Sequence, residues 1–317
     1  MTDTDRKTAA EAAASTTILN SATLLQGLTK SGKSSLLATL AEYGWDTYRA
    51  VMFYYLVDGG GFPTQVQALV NRGIIRLWRV RSRSAEHLAP ETIQRASQGW
   101  WPAAINPKTG ECAPTAKLVS PTQTTFKVSC PDGHLIKAVA TQAAIGVGAM
   151  TCPTCKKTVD RTTMKVDRVT TRTKGFPERR IVAYDGISAA QSWLMEDLSH
   201  RNLGGEASNL GGVVTSGDMT FGSNNRAQYG FAQGRAENWV LHSQGIPDLV
   251  VPPVWTALSA EGADEGGLTV VGPLLAGSAK TALAPQWFGN SMEAAVVEKD
   301  GKKYRRLYLQ QYVDDRN

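Results

Sequence analysis

Short apolar runs recur along this chain and alternate with stretches of helical periodicity. SATLLQ (21–26) reads as a short buried strand leading into Gly27. In KSSLLATLAEYG (33–44), Leu36, Leu37, Leu40 and Tyr43 fall at helical spacing, and Gly44 is expected to stop that helix. AVMFYYLVD (50–58) is almost continuously apolar, as a strand covered on both faces should be. FPTQVQALVNRG (62–73) supplies a crossover helix and IIRLWRV (74–80) a third strand. Beyond a long interruption, IVAY ends in Asp185, SAAQSWLMEDLSHRNLGG (188–205) reads as a helix stopped by glycines, and AENWVLHSQG (236–245) as another. PDLVVPPVWTAL (247–258) is a further strand, trimmed to about PVWTA because proline removes ladder donors. Strands alternating with helices predict an α/β fold with a mostly parallel sheet.

At 317 residues, 42% hydrophobic and 20% charged, the chain can form one large α/β domain with an insertion, or two modest domains. The expected division is a tail over 1–17, a core over 18–98 and 176–317, and an insertion over 99–175. No run approaches 18 apolar residues, which excludes a transmembrane helix of that length. The start, MTDTDRKTAAEAAASTT, carries acids and lacks an apolar h-region, so no signal peptide is expected there. Four cysteines, two of them in a CxxC, point to a reducing, cytoplasmic setting and a metal site, not a disulfide framework. The formal charge of +6 permits a polyanionic partner without requiring one.

Gly27, Gly32, Lys33 and Ser34 satisfy GxxxxGK[ST] between a strand and a helix, the context a phosphate-binding loop needs. Glycines let backbone N–H groups wrap phosphates, Lys33 reaches the β- and γ-phosphates, and Ser34 can ligate Mg²⁺. The expected ATP cradle is Gly27, Thr29, Lys30, Ser31, Gly32, Lys33, Ser34 and Ser35. Asp185, a carboxylate ending an apolar strand, fits the Walker-B position that supports Mg²⁺. Thr256 is a candidate sensor of the γ-phosphate.

The interruption has different chemistry. VSCPDGHLIKAV (128–139) and GAMTCPTCKKTV (148–159) hold Cys130, His134, Cys152 and Cys155. Two ligand pairs on tight turns resemble a zinc ribbon, with Cys112 as a competing fourth ligand in place of His134. A redox CxxC fits less well, because basic and β-branched residues follow it where a helix would start. The insert lacks an apolar run long enough for its own core and is expected to depend on metal to fold. Its surroundings are basic: Lys137, Lys156, Lys157, Arg161, Lys165, Arg168, Arg172, Lys174, Arg179 and Arg180. This is a solvated face or a contact for nucleic-acid phosphates. Trp100 and Trp101 either stack on bases or pack a GWWP turn on the core.

The Walker-A loop, the strand ending in VDGGG, the Walker-B strand and the late VVGPLLAGSAKTAL with its basic terminal hairpin together resemble phage-encoded RecA-fold P-loop ATPases. The likeness spans roughly 20–80 and 178–313 and leaves out the cysteine insert. It implies an oligomeric ATPase of single-strand DNA annealing and recombination, with SNNRAQYGFAQGR (223–235) near the subunit and DNA-facing side. In such cores a D-x-E pair ends the second strand, and its glutamate activates water. Here Asp58 matches the aspartate and Gly60 stands at the glutamate position. Asp58 is then the candidate base, or nucleotide binding serves as a structural switch with little hydrolysis. Other P-loop classes, a packaging motor or a nucleotide kinase, remain alternatives.

Overall fold

The computed structural model describes residues 21–57, 63–80, 83–84, 87–113, 115–200, 226–263, 269–275 and 287–310. It divides into two units, one holding the chain up to Leu118 and from Pro177 onward, the other Val119–Phe176. Gly99 to Leu118 therefore belong to the larger unit.

In chain order the larger unit begins with β1 (Thr23–Gly27), α1 (Lys33–Tyr48), β2 (Val51–Leu56), α2 (Thr64–Asn71) and β3 (Ile75–Arg79). The short strands β4 (Arg83–Ser84) and β5 (His87–Leu88) follow, then α3 (Ala89–Ser97), β6 (Trp101–Pro102) and, at the join, β7 (Leu118–Val119). The smaller unit comprises β8 (Thr122–Ser129), β9 (Leu135–Val139), β10 (Met150–Thr151), β11 (Thr158–Val159) and β12 (Lys165–Arg172). The larger unit resumes with β13 (Arg180–Asp185), α4 (Ile187–His200), α5 (Arg226–Gln244), β14 (Val254–Ala263), β15 (Thr269–Pro273), β16 (Asn290–Lys299) and β17 (Lys302–Gln310).

The fold is mixed α/β around a mostly parallel sheet, ordered β17-β16-β1-β14-β13-β2-β3, with β15 also on β14. β16, β1, β14, β13, β2 and β3 run parallel; β17 and β15 are antiparallel to their neighbours. β14 is thus interposed between β1 and β13. It begins at Val254, immediately after Pro252 and Pro253, because neither proline can donate to the ladder.

Alternation along the central strands sorts side chains into two layers. Met52, Tyr54 and Leu56 of β2 pack with Ile181 and Ala183 of β13, Val254 of β14 and Leu37, Ala38 and Ala41 of α1. The opposite parity carries aromatics. Tyr184 stacks on Trp255 at 4.0 Å and on Tyr55 at 4.7 Å, and Trp101 meets Phe53 edge-on at 4.8 Å. Three buried polar tips there have partners: Tyr184 donates to Ala96 O, Trp255 Nε1 to Ser243 Oγ, and Tyr55 to Trp100 O. Trp101 is therefore a core residue, and the base-stacking alternative does not apply to it.

Gly44 does not stop α1. The helix continues to Tyr48 and ends where Arg49 turns left-handed (φ 55) and donates to Trp45 O. A Cβ at Gly44 would lie 2.1 Å from Ile181 Cδ1, so the glycine lets the helix approach β13. The glycine-bearing stretch SNNRAQYGFAQGR (223–235) is helical from Arg226. No described helix is both long and apolar enough to cross a membrane.

In the smaller unit β12, β8 and β9 form an antiparallel sheet, with β10 and β11 paired separately. A buried cluster of Cys130, Cys152 and Val159, with Ile136, Cys155 and Met164 against it, packs around the thiols themselves.

Candidate functional site

Residues 27–34 bridge the C-terminal end of β1 and the first turn of α1. Two backbone positions require their residues. A Cβ at Gly27 would lie 2.3 Å from Ala294 O, and Gly32 caps the helix with φ +103, a left-handed value that costs glycine little. Lys30 is also left-handed (φ 64), and Ser31 N–H donates to Leu28 O at 3.1 Å. The loop therefore curls around its own interior. The Lys33 ammonium spans it, donating to Gly27 O at 2.7 Å and Leu28 O at 2.9 Å. Ser31 is 3% exposed, and its hydroxyl is buried without a hydrogen-bond partner. Thr29 and Lys30 are exposed at the outer bend, while Ser34 and Ser35 open the helix.

Asp185 is the point where loop and sheet meet. Register places Thr256 directly across from it on β14, and Tyr54, two residues before its β2 partner Leu56, shares the same face. Thr256 donates to Asp185 Oδ1 at 2.5 Å, Ser34 donates to Oδ2 at 2.9 Å, and the Tyr54 hydroxyl also donates to Oδ2. A nearly buried carboxylate thus holds three hydroxyl donors from β2, α1 and β14. Such charge-assisted bonds fix its orientation toward the helix N-terminus. Ser34 Oγ and the Asp185 carboxylate are the oxygen donors that could hold a small divalent cation beside the loop. Tyr54 was not singled out by sequence, because its parity is invisible within an unbroken apolar run. Arg305 of β17 is a second addition. A Cβ at Gly32 would meet its Cδ at 2.8 Å and Nε at 3.2 Å, so its side chain lies across the loop's glycine.

The smaller unit brings together a different set. The ligand atoms of Cys130, His134, Cys152 and Cys155 all lie within 4.8 Å of one another. Cys130 Sγ is 3.5 Å from His134 Nδ1 and 3.9 Å from Cys155 Sγ. A tetrahedral ion with metal–sulfur and metal–nitrogen bonds of zinc length requires about 3.6 Å and about 3.8 Å for such pairs. These two pairs match that geometry. Each ligand pair sits on a tight turn: Cys130 N–H donates to His134 O around left-handed Gly133, and Cys152 N–H to Lys157 O around left-handed Lys156. N–H groups also face the sulfurs, with His134 N donating to Cys130 Sγ at 3.4 Å. Backbone N–H groups of Cys155 and Thr154 bring the Cys152 thiol down to about 7, favouring the thiolate a metal needs. Cys112, the competing fourth ligand, is not in this cluster. It belongs to the larger unit, beside Trp78, where burial pushes its thiol up.

Two residues of the basic cluster, expected to be a solvated face or a phosphate contact, are engaged within the protein. Arg180 is 2% exposed and donates to Pro247 O at 2.5 Å, with Asp248 Oδ2 at 3.6 Å, which removes it from any polyanion contact. Lys157 is paired with Asp132 at 2.8 Å. Asp58 and Gly60, and residues 276–283 of the VVGPLLAGSAKTAL segment, lie outside the described residues. No family model matches the chain, and no curated protein matches it.

Proposed function

We propose that the larger unit is a RecA-like P-loop core that binds Mg·ATP and acts on single-stranded DNA. The observation that carries this reading is the Ser34–Asp185 hydrogen bond of 2.9 Å across 151 positions of sequence. It joins the two motifs that a Mg²⁺-dependent nucleotide site requires, on elements that need not have met. The buried, unpartnered Ser31 hydroxyl within the loop supports it, as an interior polar atom awaiting a polar occupant. In this reading the N–H groups of residues 29–35 cradle the phosphates and the Lys33 ammonium swings from the loop carbonyls to phosphate oxygens. Ser34 and Asp185 hold Mg²⁺, which when bound neutralises phosphate charge. Thr256 and Tyr54 keep Asp185 oriented toward it, so Thr256 acts on the site through that carboxylate. Asp58 stands as the candidate base, and the protein works as a homo-oligomer in the cytoplasm of a bacterial host. The smaller unit holds one Zn²⁺ through Cys130, His134, Cys152 and Cys155, which supplies most of its core.

The test is nucleotide binding by Lys33→Ala. Losing a cation that bonds phosphate should weaken Mg·ATP binding roughly tenfold to a hundredfold, the worth of a charged hydrogen bond, with far-UV circular dichroism unchanged. Equal affinity in variant and parent rejects the assignment. A second reading, a nucleotide-gated structural protein with little hydrolysis, is favoured by Gly60 at the position of the RecA-type glutamate. Tight Mg·ATP binding with no turnover, with and without single-stranded DNA, would select it.

A further inference from the structure

β1 and β16 run together only as far as Gln26 and Glu293, where β1 enters the loop. β16 continues through Lys299, and β17 returns beside it from Lys302. Six residues past the last β1 pair extend the ribbon by about 20 Å. Among the described residues no other strand pairs with this extension. A bare two-stranded ribbon is marginally stable in water. Its side chains are nonetheless costly to leave exposed: Val296, Tyr304, Leu307 and Tyr308 are each between 42% and 47% open.

Alternation divides the ribbon's faces. One carries Lys302, Tyr304, Arg306 and Tyr308 along β17, with Lys299, Val297, Ala295 and Glu293 as their cross-strand partners. The opposite face carries Lys303, Arg305 and Leu307, with Arg305 lying on Gly32 of the loop. The first face therefore presents two tyrosines about 13 Å apart, with an arginine between them and lysines at the tip. On this face Lys299, Lys302 and Arg306 stand against Glu293. An apolar protein partner would not call for this density of charge between aromatics. A single strand of nucleic acid does, because bases stack on aromatic rings while cations track the phosphates.

We propose that the Lys302–Tyr304–Arg306–Tyr308 face of the β16–β17 ribbon is the site where single-stranded DNA binds. This rests on the single-strand partner proposed above and gives it a location, separate from the cysteine unit. Tyr304 and Tyr308 stack bases, Arg306 and Lys302 contact phosphates, and the ribbon becomes ordered between DNA on one face and the nucleotide loop on the other.

Fluorescence anisotropy of a labelled oligothymidylate with the full chain tests it, across a range of salt. Tyr304→Ala with Tyr308→Ala should weaken binding roughly tenfold or more with an unchanged salt slope, since stacking is uncharged. Lys302→Gln with Arg306→Gln should lower the log–log salt slope by about 1.4, two phosphate contacts' worth for a single strand. Mg·ATP binding, measured on the same samples, should be unchanged in both variants. Wild-type binding that neither variant alters overturns the proposal, as does a wild type that does not bind the oligonucleotide. A tyrosine variant that loses self-association in sedimentation but keeps its affinity assigns the face to a second copy of the chain and also overturns it. Ribbon-dependent binding in a protein that fails to bind Mg·ATP upholds this site while rejecting the P-loop reading.

Discussion

At the scale of single residues, one carboxylate organises the larger unit's site. Asp185 is 7% exposed and accepts from Ser34, Tyr54 and Thr256, so removing any donor leaves a buried charge less well satisfied. Hydrogen bonds to charged groups contribute about 1.5–3 kcal/mol each. Tyr54→Phe and Thr256→Val should each lower unfolding free energy by roughly that much, measured by denaturant titration. A loss below about 0.5 kcal/mol, within the range of ordinary surface changes, would show that the hydroxyl is not engaged. The sequence made Asp185 and Ser34 legible because each occupies a position with a chemical signature: a carboxylate ending an apolar strand, a hydroxyl opening a glycine-led helix. Thr256 was legible by its place near a strand end, and its hydroxyl reaches Asp185. Tyr54 was not legible. In a strand buried on both faces every position is apolar or aromatic, so the period of two that would reveal its face is absent.

At the scale of elements, the glycines and cysteines separate what pattern can and cannot reveal. Gly44 has the composition of a helix stop, but the tertiary approach of α1 to Ile181 is the reason for it. Gly44→Ala should gain about 1 kcal/mol of helix propensity and lose about 1–3 kcal/mol to overpacking against a buried side chain. Net destabilisation, read as a lower thermal midpoint, is expected; a raised midpoint would mean that Ile181 yields freely. The thiol turns were legible in full, since CPDGH and CPTC fix local geometry within a few residues. What the spacing left open was the fourth ligand, because only tertiary structure decides whether Cys112 or His134 arrives. Metal analysis should find one zinc per chain, reduced in His134→Ala and Cys152→Ser and unchanged in Cys112→Ala. Chelation should unfold the smaller unit, because its buried cluster consists largely of the ligands themselves. A metal-free protein with that unit still protected from hydrogen exchange would reject the zinc assignment.

At the scale of the molecule, strand order was the least legible feature. β1 lies between β14 and β16, both more than two hundred residues away in sequence, and an apolar run carries no mark of its neighbour. That order nevertheless has a consequence for function. It places the β16–β17 ribbon at the loop end of β1, so that Arg305 on one face lies over Gly32 while Tyr304 and Arg306, its immediate neighbours, point to the other face. Any ligand that orders the outer face must also fix the backbone carrying Arg305. If that ligand is single-stranded DNA and the loop holds Mg·ATP, a guanidinium is then positioned beside the phosphates within the same chain. A positioned arginine can contribute several powers of ten to phosphoryl transfer. Arg305→Ala should therefore retain both oligonucleotide and Mg·ATP affinity to within a few-fold, yet lose the stimulation of ATP turnover by single-stranded DNA. Arg305→Lys, which keeps charge but not the planar fork, should recover only part of it. Undiminished stimulation in Arg305→Ala would uncouple the ribbon from the loop. Loss of Mg·ATP binding would instead make Arg305 a ground-state contact of the nucleotide.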